Sequence, residues 1–386
     1  MSTIRDIRFR KTVRPMRTTF ATALGSKSAA TSVLVKVTLD DGSEGVGEVP
    51  TSFVLRHETV PAIKSILRET RDELIALPIE ECPRRIEAFR RRFAGFHMTI
   101  SGLEVAMFRA TLASRGVSEH RHWGAACDRV ETDITIPFIG DEGVLRRWMK
   151  RVIKMGFRAY KVKVSGDVDA DIRFLKRVWA MLEGAMPAPP RGAGARTSGG
   201  RPLADDARGR GAPFVVRLDG NQGYNRKTFL RMIDRLAKER LAVELFEQPL
   251  PKDDHEGLRS ITKRSGAAVL LDETVFCRED CRRAIDQGLG HGVNIKVAKS
   301  GIAESAGIME VAKEAGMKLM IGCMTETMVG LSAGILMAGG TGAFDYVDLD
   351  SIHFLHHRKV CGDIRVEGPQ YVIQEPVEKV ARPSWP

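Results

Sequence analysis

Four charged residues recur at nearly one interval along the second half of this chain. Asp219 closes Phe-Val-Val-Arg-Leu-Asp, Glu247 closes Val-Glu-Leu-Phe-Glu, Asp272 closes Val-Leu-Leu-Asp and Lys296 follows Val-Asn-Ile. The intervals are 28, 25 and 24 residues. Each matches one strand, one helix and their connections, so the four side chains are expected at the C-terminal ends of adjacent parallel strands, all on one rim. That restricts the chain to α/β architectures. No Gly-x-Gly-x-x-Gly turn supports the dinucleotide site of an open doubly wound sheet.

The rest of the rhythm agrees. Candidate strands start near Thr132, Ala159, Phe214, Val243, Val269, Gly292, Lys318 and Phe344, with helical patterns between them, including 169–183, 226–240, 278–287 and 302–315. Eight strands alternating with helices predict a modified TIM barrel of (β/α)7β type over residues 129–354. Before it, 4–10 and 32–39 alternate as half-exposed strands, and Asp41-Gly42 signals a hairpin into 44–48. Helical patterns follow at 57–70, 80–93 and 101–114, the last with Ser101 as N-cap and Glu104 completing a capping box. Residues 1–128 therefore read as a separate α+β domain. Residues 186–213, rich in Pro, Gly, Ala and Arg, lack the large apolar side chains of a core. They are expected to be a disordered insertion at the barrel end away from the site, with no catalytic role.

The stretch Gly156–Val164 reads as the second barrel strand. A side-chain period of two puts Lys161 and Lys163 on one face. On an outward face they would be ordinary solvated charges. Inside a closed barrel each loses hydration and meets a like charge, which pushes a lysine pKa down and yields a base near neutral pH. The barrel period favours the inner face. Asp219, Glu247 and Asp272 would then converge and repel unless a cation sat among them. Oxygen-only ligands suit Mg²⁺ first and Mn²⁺ second. One acid after one strand is ordinarily a helix N-cap, but that does not explain the periodic set. Lys163 and Lys296 would face each other across such an ion, able to take a proton from one face of a carbon and return it to either.

Composition excludes other classes. No apolar run reaches the roughly 18 residues of a membrane helix, and 1–15 lacks an apolar signal core. Six cysteines without a Cys-x-x-Cys pair suit reduced thiols in a cytoplasm. The net charge of +11 is scattered, with basic runs at 84–92 and 191–210 that lack interleaved aromatics. A small-molecule substrate and a homo-oligomer are expected, with no nucleic-acid or membrane partner; a basic, non-catalytic binding protein is disfavoured by the acid–lysine set. His353, His356 and His357 read as surface residues, Asp253-Asp254 as a helix start, and Gly45-Val-Gly-Glu48 as close backbone packing.

With Lys161-Val-Lys163, Asp219-Gly-Asn221-Gln222, Glu247-Gln-Pro249, Asp272-Glu273 and Asn294-Ile-Lys296 in hand, nearly the whole chain resembles the enolase superfamily, in the subgroup of the muconate lactonizing enzymes. Enolase-superfamily sites are known to pair a Lys or His base with Mg²⁺, so that pairing belongs to the resemblance rather than to the residue pattern. The resemblance implies an N-terminal capping domain completed by residues from about 355 to 386. Ile321–Glu326 lacks the histidine of the mandelate-racemase branch. Gly322-Cys-Met-Thr-Glu-Thr327 and Asp348-Leu-Asp350 look like the dipeptide epimerases, in which the Asp-x-Asp pair holds the substrate α-ammonium; Thr135 matches a substrate-contacting position. Relatives with acidic substrates carry arginine where Gly25 stands, in the cap loop 20–25. With Phe53, Val54 and Leu55 on a second cap loop, that implies a neutral or hydrophobic C-terminal residue rather than Glu. The expected reaction is Mg²⁺-dependent epimerisation of a dipeptide's C-terminal α-carbon through an enediolate, with Lys163 and Lys296 moving the proton and Lys161 tuning Lys163. A muconate-type cycloisomerase or o-succinylbenzoate synthase would use the same metal and lysines on a non-peptide acid, and the residues alone leave that alternative open.

Overall fold

A computed structural model describes residues 2–186, 213–356, 360–361 and 363–374. The insertion expected over 186–213 lies almost entirely outside the described residues. The chain begins with an antiparallel sheet of β1 (Ile4–Thr22), β2 (Gly25–Leu39) and β3 (Glu44–Pro50). Val33, Val35, Val37 and Leu39 are buried on β2 and form a core with Ile63, Leu67, Phe89 and Leu103. Those residues belong to the helices α1 (Val60–Leu74), α2 (Cys82–Arg92) and α3 (His97–Ser114). α3 lies hard against β3: a Cβ on Gly45 would sit 2.1 Å from Ala106 O, and one on Gly47 2.0 Å from Gly102 O. The glycines set that approach, as the sequence suggested.

Two expectations about this region change. The loop 20–25 is the tip of a hairpin, with the β1–β2 ladder running to Thr22 opposite Gly25 and only Ala23 and Leu24 in the turn. Ser101 does not cap α3. It lies in the second turn and donates to His97 O at 2.7 Å. The open N–H groups of Met98 and Thr99 instead go to the buried Glu58 carboxylate at 2.9 and 2.7 Å. A distant side chain thus does what a local motif was expected to do.

After α4 (Glu119–His122) and β4 (Arg129–Glu131), strands and helices alternate. They are β5 (Ile134–Ile136), α5 (Glu142–Lys154), β6 (Ala159–Lys163), α6 (Val168–Ala185), β7 (Val215–Asp219), α7 (Arg226–Glu239), β8 (Leu245–Glu247) and α8 (His255–Thr262). Next come β9 (Ala268–Leu271), α9 (Arg278–Gln287), β10 (Gly292–Ile295), α10 (Val297–Glu314), β11 (Lys318–Gly322), α11 (Met328–Thr341) and β12 (Tyr346–Asp348). β5 to β12 form one eight-stranded sheet in sequence order with every ladder parallel. Its two edges approach where Asp133 N donates to Val347 O at 3.1 Å and Leu349 N to Thr132 Oγ1 at 2.8 Å. Eight parallel strands with helices between them make the (β/α)7β barrel. Asp254 caps α8 as expected, accepting from Gly257 N at 2.9 Å.

Among the described C-terminal residues, Leu355 forms an isolated bridge with Met16 of β1, while the strands that follow belong to a separate sheet. β13 (Val360–Cys361), β14 (Ile364–Glu367) and β15 (Gln370–Ile373) pair antiparallel with β4, and Ile364, Tyr371 and Ile373 pack with Leu331 and Ile335 of α11. His353 is not a surface residue: a 3₁₀ turn over Ser351–Phe354 buries it edge-on to Phe157, with ring centres 5.1 Å apart. His356 is exposed, and His357 lies outside the described residues. The basic run of α2 is a paired surface face, with Arg90, Arg91 and Arg85 on Glu104, Glu87 and Glu73 at 2.5, 2.6 and 3.4 Å. Among the described residues no helix is long and apolar enough to cross a membrane.

Candidate active site

Register builds the site. Lys163, at the end of β6, pairs with Asp219 at the end of β7, which pairs with Glu247 at the end of β8. Asp272 and Lys296 directly follow β9 and β10. The period read from the sequence therefore becomes a rim of buried charges, with Lys161 at 3%, Lys163 at 5% and Lys296 at 6% exposed. The outward-facing reading of the lysine strand is ruled out.

Each lysine touches the acids beside it. Lys161 Nζ bridges Glu247 Oε2 at 3.2 Å and Asp219 Oδ2 at 3.6 Å, and also bonds Asp348. Lys163 bonds Asp219. Lys296 Nζ lies 2.6 Å from Asp272 Oδ2 and 3.7 Å from Glu247 Oε1. The downward pKa shift expected of Lys161 is not found, and Lys296 is raised in the same way. Burial acts in that direction, but the carboxylates outweigh it: Asp348 and Glu247 hold Lys161 well above the ordinary lysine range, and Asp272 and Glu247 do the same for Lys296. A strand pattern carries the burial and the like charge, but not the sum over opposite charges from other strands.

Lys161 joins Asp219 to Glu247 and Lys296 joins Glu247 to Asp272, so ammonium groups link the three carboxylates in a row. Asn221 Oδ1 and both oxygens of Glu273 are buried without a hydrogen-bond partner. Burial, then the nearby Asp272 and Asp219, pushes Glu273 up to about 8. An all-oxygen set with unsatisfied donors fits a hard divalent cation. The supporting turns are strained: Asn221 and Gln248, just past β7 and β8, have φ of 40° and 33°. Gln248 Oε1 accepts from Asp272 N at 2.8 Å and so ties one ligand loop to the next.

The three acids whose oxygens all lie within 4.8 Å of one another among the described residues are different ones: Asp133, Asp348 and Asp350. Two of them already carry fixed cations, Arg217 on Asp133 at 2.7 Å and Lys161 on Asp348. Lysines bond Asp219, Glu247 and Asp272 as well, so paired cations do not rank the two groups; Asp348 and Asp350, which line the site's cleft, suit an organic cation. Burial, then Asp348, pushes Asp350 up to about 6. Thr135 N donates to Asp350 Oδ2 at 2.6 Å, which joins the expected Thr135 to the pair.

These groups open onto a cleft with about 690 Å³ of empty space. Phe53 lines its cap side with Leu24 and Val54, and Met324 lines it from the loop after β11, whereas Gly25 stands behind the Phe53 ring. Gly25 has φ of 151°, and a Cβ there would sit 3.1 Å from that ring. Arg56 donates to Leu24 O at 2.7 Å, clamping the hairpin tip to the second cap loop. Among the described residues Lys27 is the charged one on the cap side of the cleft; burial pushes it down to about 8. Sequence reasoning gave no role to Glu273, Asp133 or Lys299. Glu273 could have been suspected from its place in Asp272-Glu273; the others needed three-dimensional neighbours.

Comparison with known proteins decides the family. Residues 4–118 match the mandelate racemase/muconate lactonizing enzyme N-terminal domain, and residues 203–375 the enolase C-terminal domain-like family. The chain is 31% identical over 349 residues to a hydrophobic dipeptide epimerase of Citrifermentans bemidjiense, a match spanning 88% of this chain and 87% of that protein. The chain belongs to the enolase superfamily. It is also 30% identical to an aromatic dipeptide epimerase of Herpetosiphon aurantiacus, over 92% of this chain and 91% of the relative. Among solved structures, the dipeptide epimerase of Enterococcus faecalis V583 complexed with Mg and L-Leu-L-Tyr superposes with a TM-score of 0.82 at 25% identity, covering 97% of this chain and 98% of that one. This enolase-superfamily member is an enzyme of the isomerase class, as those relatives are.

Proposed function

We propose that this enzyme epimerises the α-carbon of the C-terminal residue of a dipeptide, with Mg²⁺ held by Asp219, Glu247 and Asp272. The observation that carries the reading is the placement of two buried lysines, Lys163 and Lys296, on β6 and after β10, each bonded to a carboxylate of that one triad. A bound Mg²⁺ would supply the counter-charge that frees these ammonium groups and would withdraw charge from the substrate carboxylate. Lys163 and Lys296 then face the α-carbon from opposite sides. One takes its proton, and the other returns one to the far face of the enediolate. Lys161, bridging Asp219, Glu247 and Asp348, keeps the rim charges in place beside Lys163. Asp348 and Asp350 hold the substrate α-ammonium; a cycloisomerase substrate carries no such cation, which favours the dipeptide. In this reading residues 1–128 are the cap that closes over the barrel of 129–354.

The substrate's second residue is neutral and apolar in this reading. Leu24, Phe53 and Val54 form the cap-side wall, with Met324 of the loop after β11 beside them. Apolar burial favours such a guest by about 25 cal/mol per Å², while a carboxylate must give up its water. The relatives named for hydrophobic and aromatic dipeptides support the same choice. The experiment is a dipeptide library incubated in D₂O with Mg²⁺ and read by mass for gain at Cα. Exchange on Ala-Leu or Ala-Phe, with kcat/KM above that for Ala-Glu, is expected. No exchange on any dipeptide overturns the epimerase reading, and a clear preference for Ala-Glu overturns the apolar pocket.

A further inference from the structure

α10 starts immediately after Lys296 and breaks at Gly301, whose φ of 79° and ψ of −174° are not helical. The break makes room for an ion pair from the cap. A Cβ on Gly301 would lie 2.0 Å from Glu104 Oε2 and 2.2 Å from Arg90 Nη2. Glu104 also accepts from Ala303 N at 2.9 Å. The short turn 297–300 is thus pinned from outside the barrel, and Lys299 sits on it.

Lys299 is 3% exposed and has no part in the proton transfers above. Its Nζ donates to Asp272 O at 2.6 Å, to Asp272 Oδ1 at 2.8 Å and to Asn294 O at 3.3 Å, and lies 5.1 Å from the Phe276 ring centre. Three donors meet three acceptors. Lys296 meanwhile takes the other oxygen, Asp272 Oδ2, at 2.6 Å. Two lysines three residues apart hold the two oxygens of one carboxylate separately.

We propose that Lys299 is a positioning residue for the divalent metal: it occupies Asp272 Oδ1 and fixes the carboxylate so that Oδ2 faces the site. This rests on the reading of Asp219, Glu247 and Asp272 as metal ligands. Two effects of Lys299 oppose each other and can be told apart by sign. As a bare positive charge it repels a cation, and its removal tightens metal binding. As an orienting partner it prepares a ligand, and its removal weakens metal binding, typically by about 10- to 100-fold for groups of this kind.

The test is Mn²⁺ binding to the full chain without substrate, followed by the EPR signal of free Mn²⁺. In wild type, D272N and K299M, the expected result is one tight site in wild type, large losses in D272N, and binding about tenfold weaker or worse in K299M. At saturating Mn²⁺ the kcat of K299M should recover toward wild type, which a group acting directly in proton transfer would not allow. K299M binding Mn²⁺ as tightly as wild type, or more tightly, overturns the proposal while leaving the metal ligands standing. Unchanged binding in D272N removes the ligand reading and the proposal with it. Should K299M not fold, K299R and K299Q decide. Arg, which keeps a cation within reach of Asp272, must bind Mn²⁺ more tightly than the shorter, neutral Gln; the reverse order overturns the proposal.

Discussion

Glu48 and Glu326 place two carboxyl groups side by side where the cap meets the barrel. Glu48, on β3, accepts from Ser32 Oγ at 2.7 Å, Thr327 N at 3.0 Å, Thr327 Oγ1 at 2.6 Å and Gly330 N at 3.0 Å. The Glu326 carboxyl accepts from Met324 N at 2.9 Å, and burial, then Glu48, pushes it up to about 8. A carboxyl with a folded pKa above its ordinary 4.5 takes up a proton on folding between those values. Its favourable contribution is therefore present at low pH and lost as the pH climbs from about 4.5 toward about 8. Glu326→Gln keeps the shape and the acceptor but removes the titration. The slope is about 1.4 kcal/mol per pH unit, so between about pH 5.5 and about pH 7.5 the variant should gain at most about 3 kcal/mol on wild type. Relaxation around the pair reduces that to about 1–2 kcal/mol. Urea unfolding of both proteins at the two pH values measures the difference. A variant advantage no larger at the higher pH refutes the shared-charge account of this contact.

Two further outcomes follow from the cleft. Asp350 must be ionised to hold an ammonium, so kcat/KM should fall as the pH drops through about 6, and Asp350→Asn should remove that limb while costing about 2–3 kcal/mol in kcat/KM. An unchanged acid limb in the variant assigns the titration elsewhere. Gly25→Arg alone should destabilise by about 1–3 kcal/mol, because its Cβ meets the Phe53 ring at 3.1 Å, without improving turnover of Ala-Glu. Phe53→Ala added to it should recover stability and raise kcat/KM for Ala-Glu; a gain in the single variant would show that the ring does not block the site.

Much of the barrel was legible because a charged side chain ending an apolar strand is a local event, repeated at a period that only parallel βα units explain. The strand starts were found within two residues, and Lys163, Asp219 and Glu247 meet in register because each ends its strand. What the sequence hid depends on partners far along the chain. Glu58 replaces the local cap of α3, the 3₁₀ turn carries His353 inward, and carboxylates from β8 and β12 reverse the expected shift of Lys161. The hairpin at Ala23–Leu24 was missed because pairing with β2, rather than alternation within β1, extends that strand. Phe53 against Gly25 is likewise a contact between two cap segments that no local pattern records.

That Lys163 and Lys296 serve opposite faces of one carbon is the central claim, and stereospecific hydrogen exchange tests it most directly. Lys163→Ala and Lys296→Ala are each given the two C-terminal epimers of the best dipeptide in D₂O with Mg²⁺, and Cα deuterium and configuration are read separately by NMR. Each variant should lose epimerisation by about 10²–10⁴-fold yet still exchange the α-hydrogen of one epimer, a different epimer in each variant. Epimerisation surviving in either variant, or exchange of the same epimer by both, would contradict it.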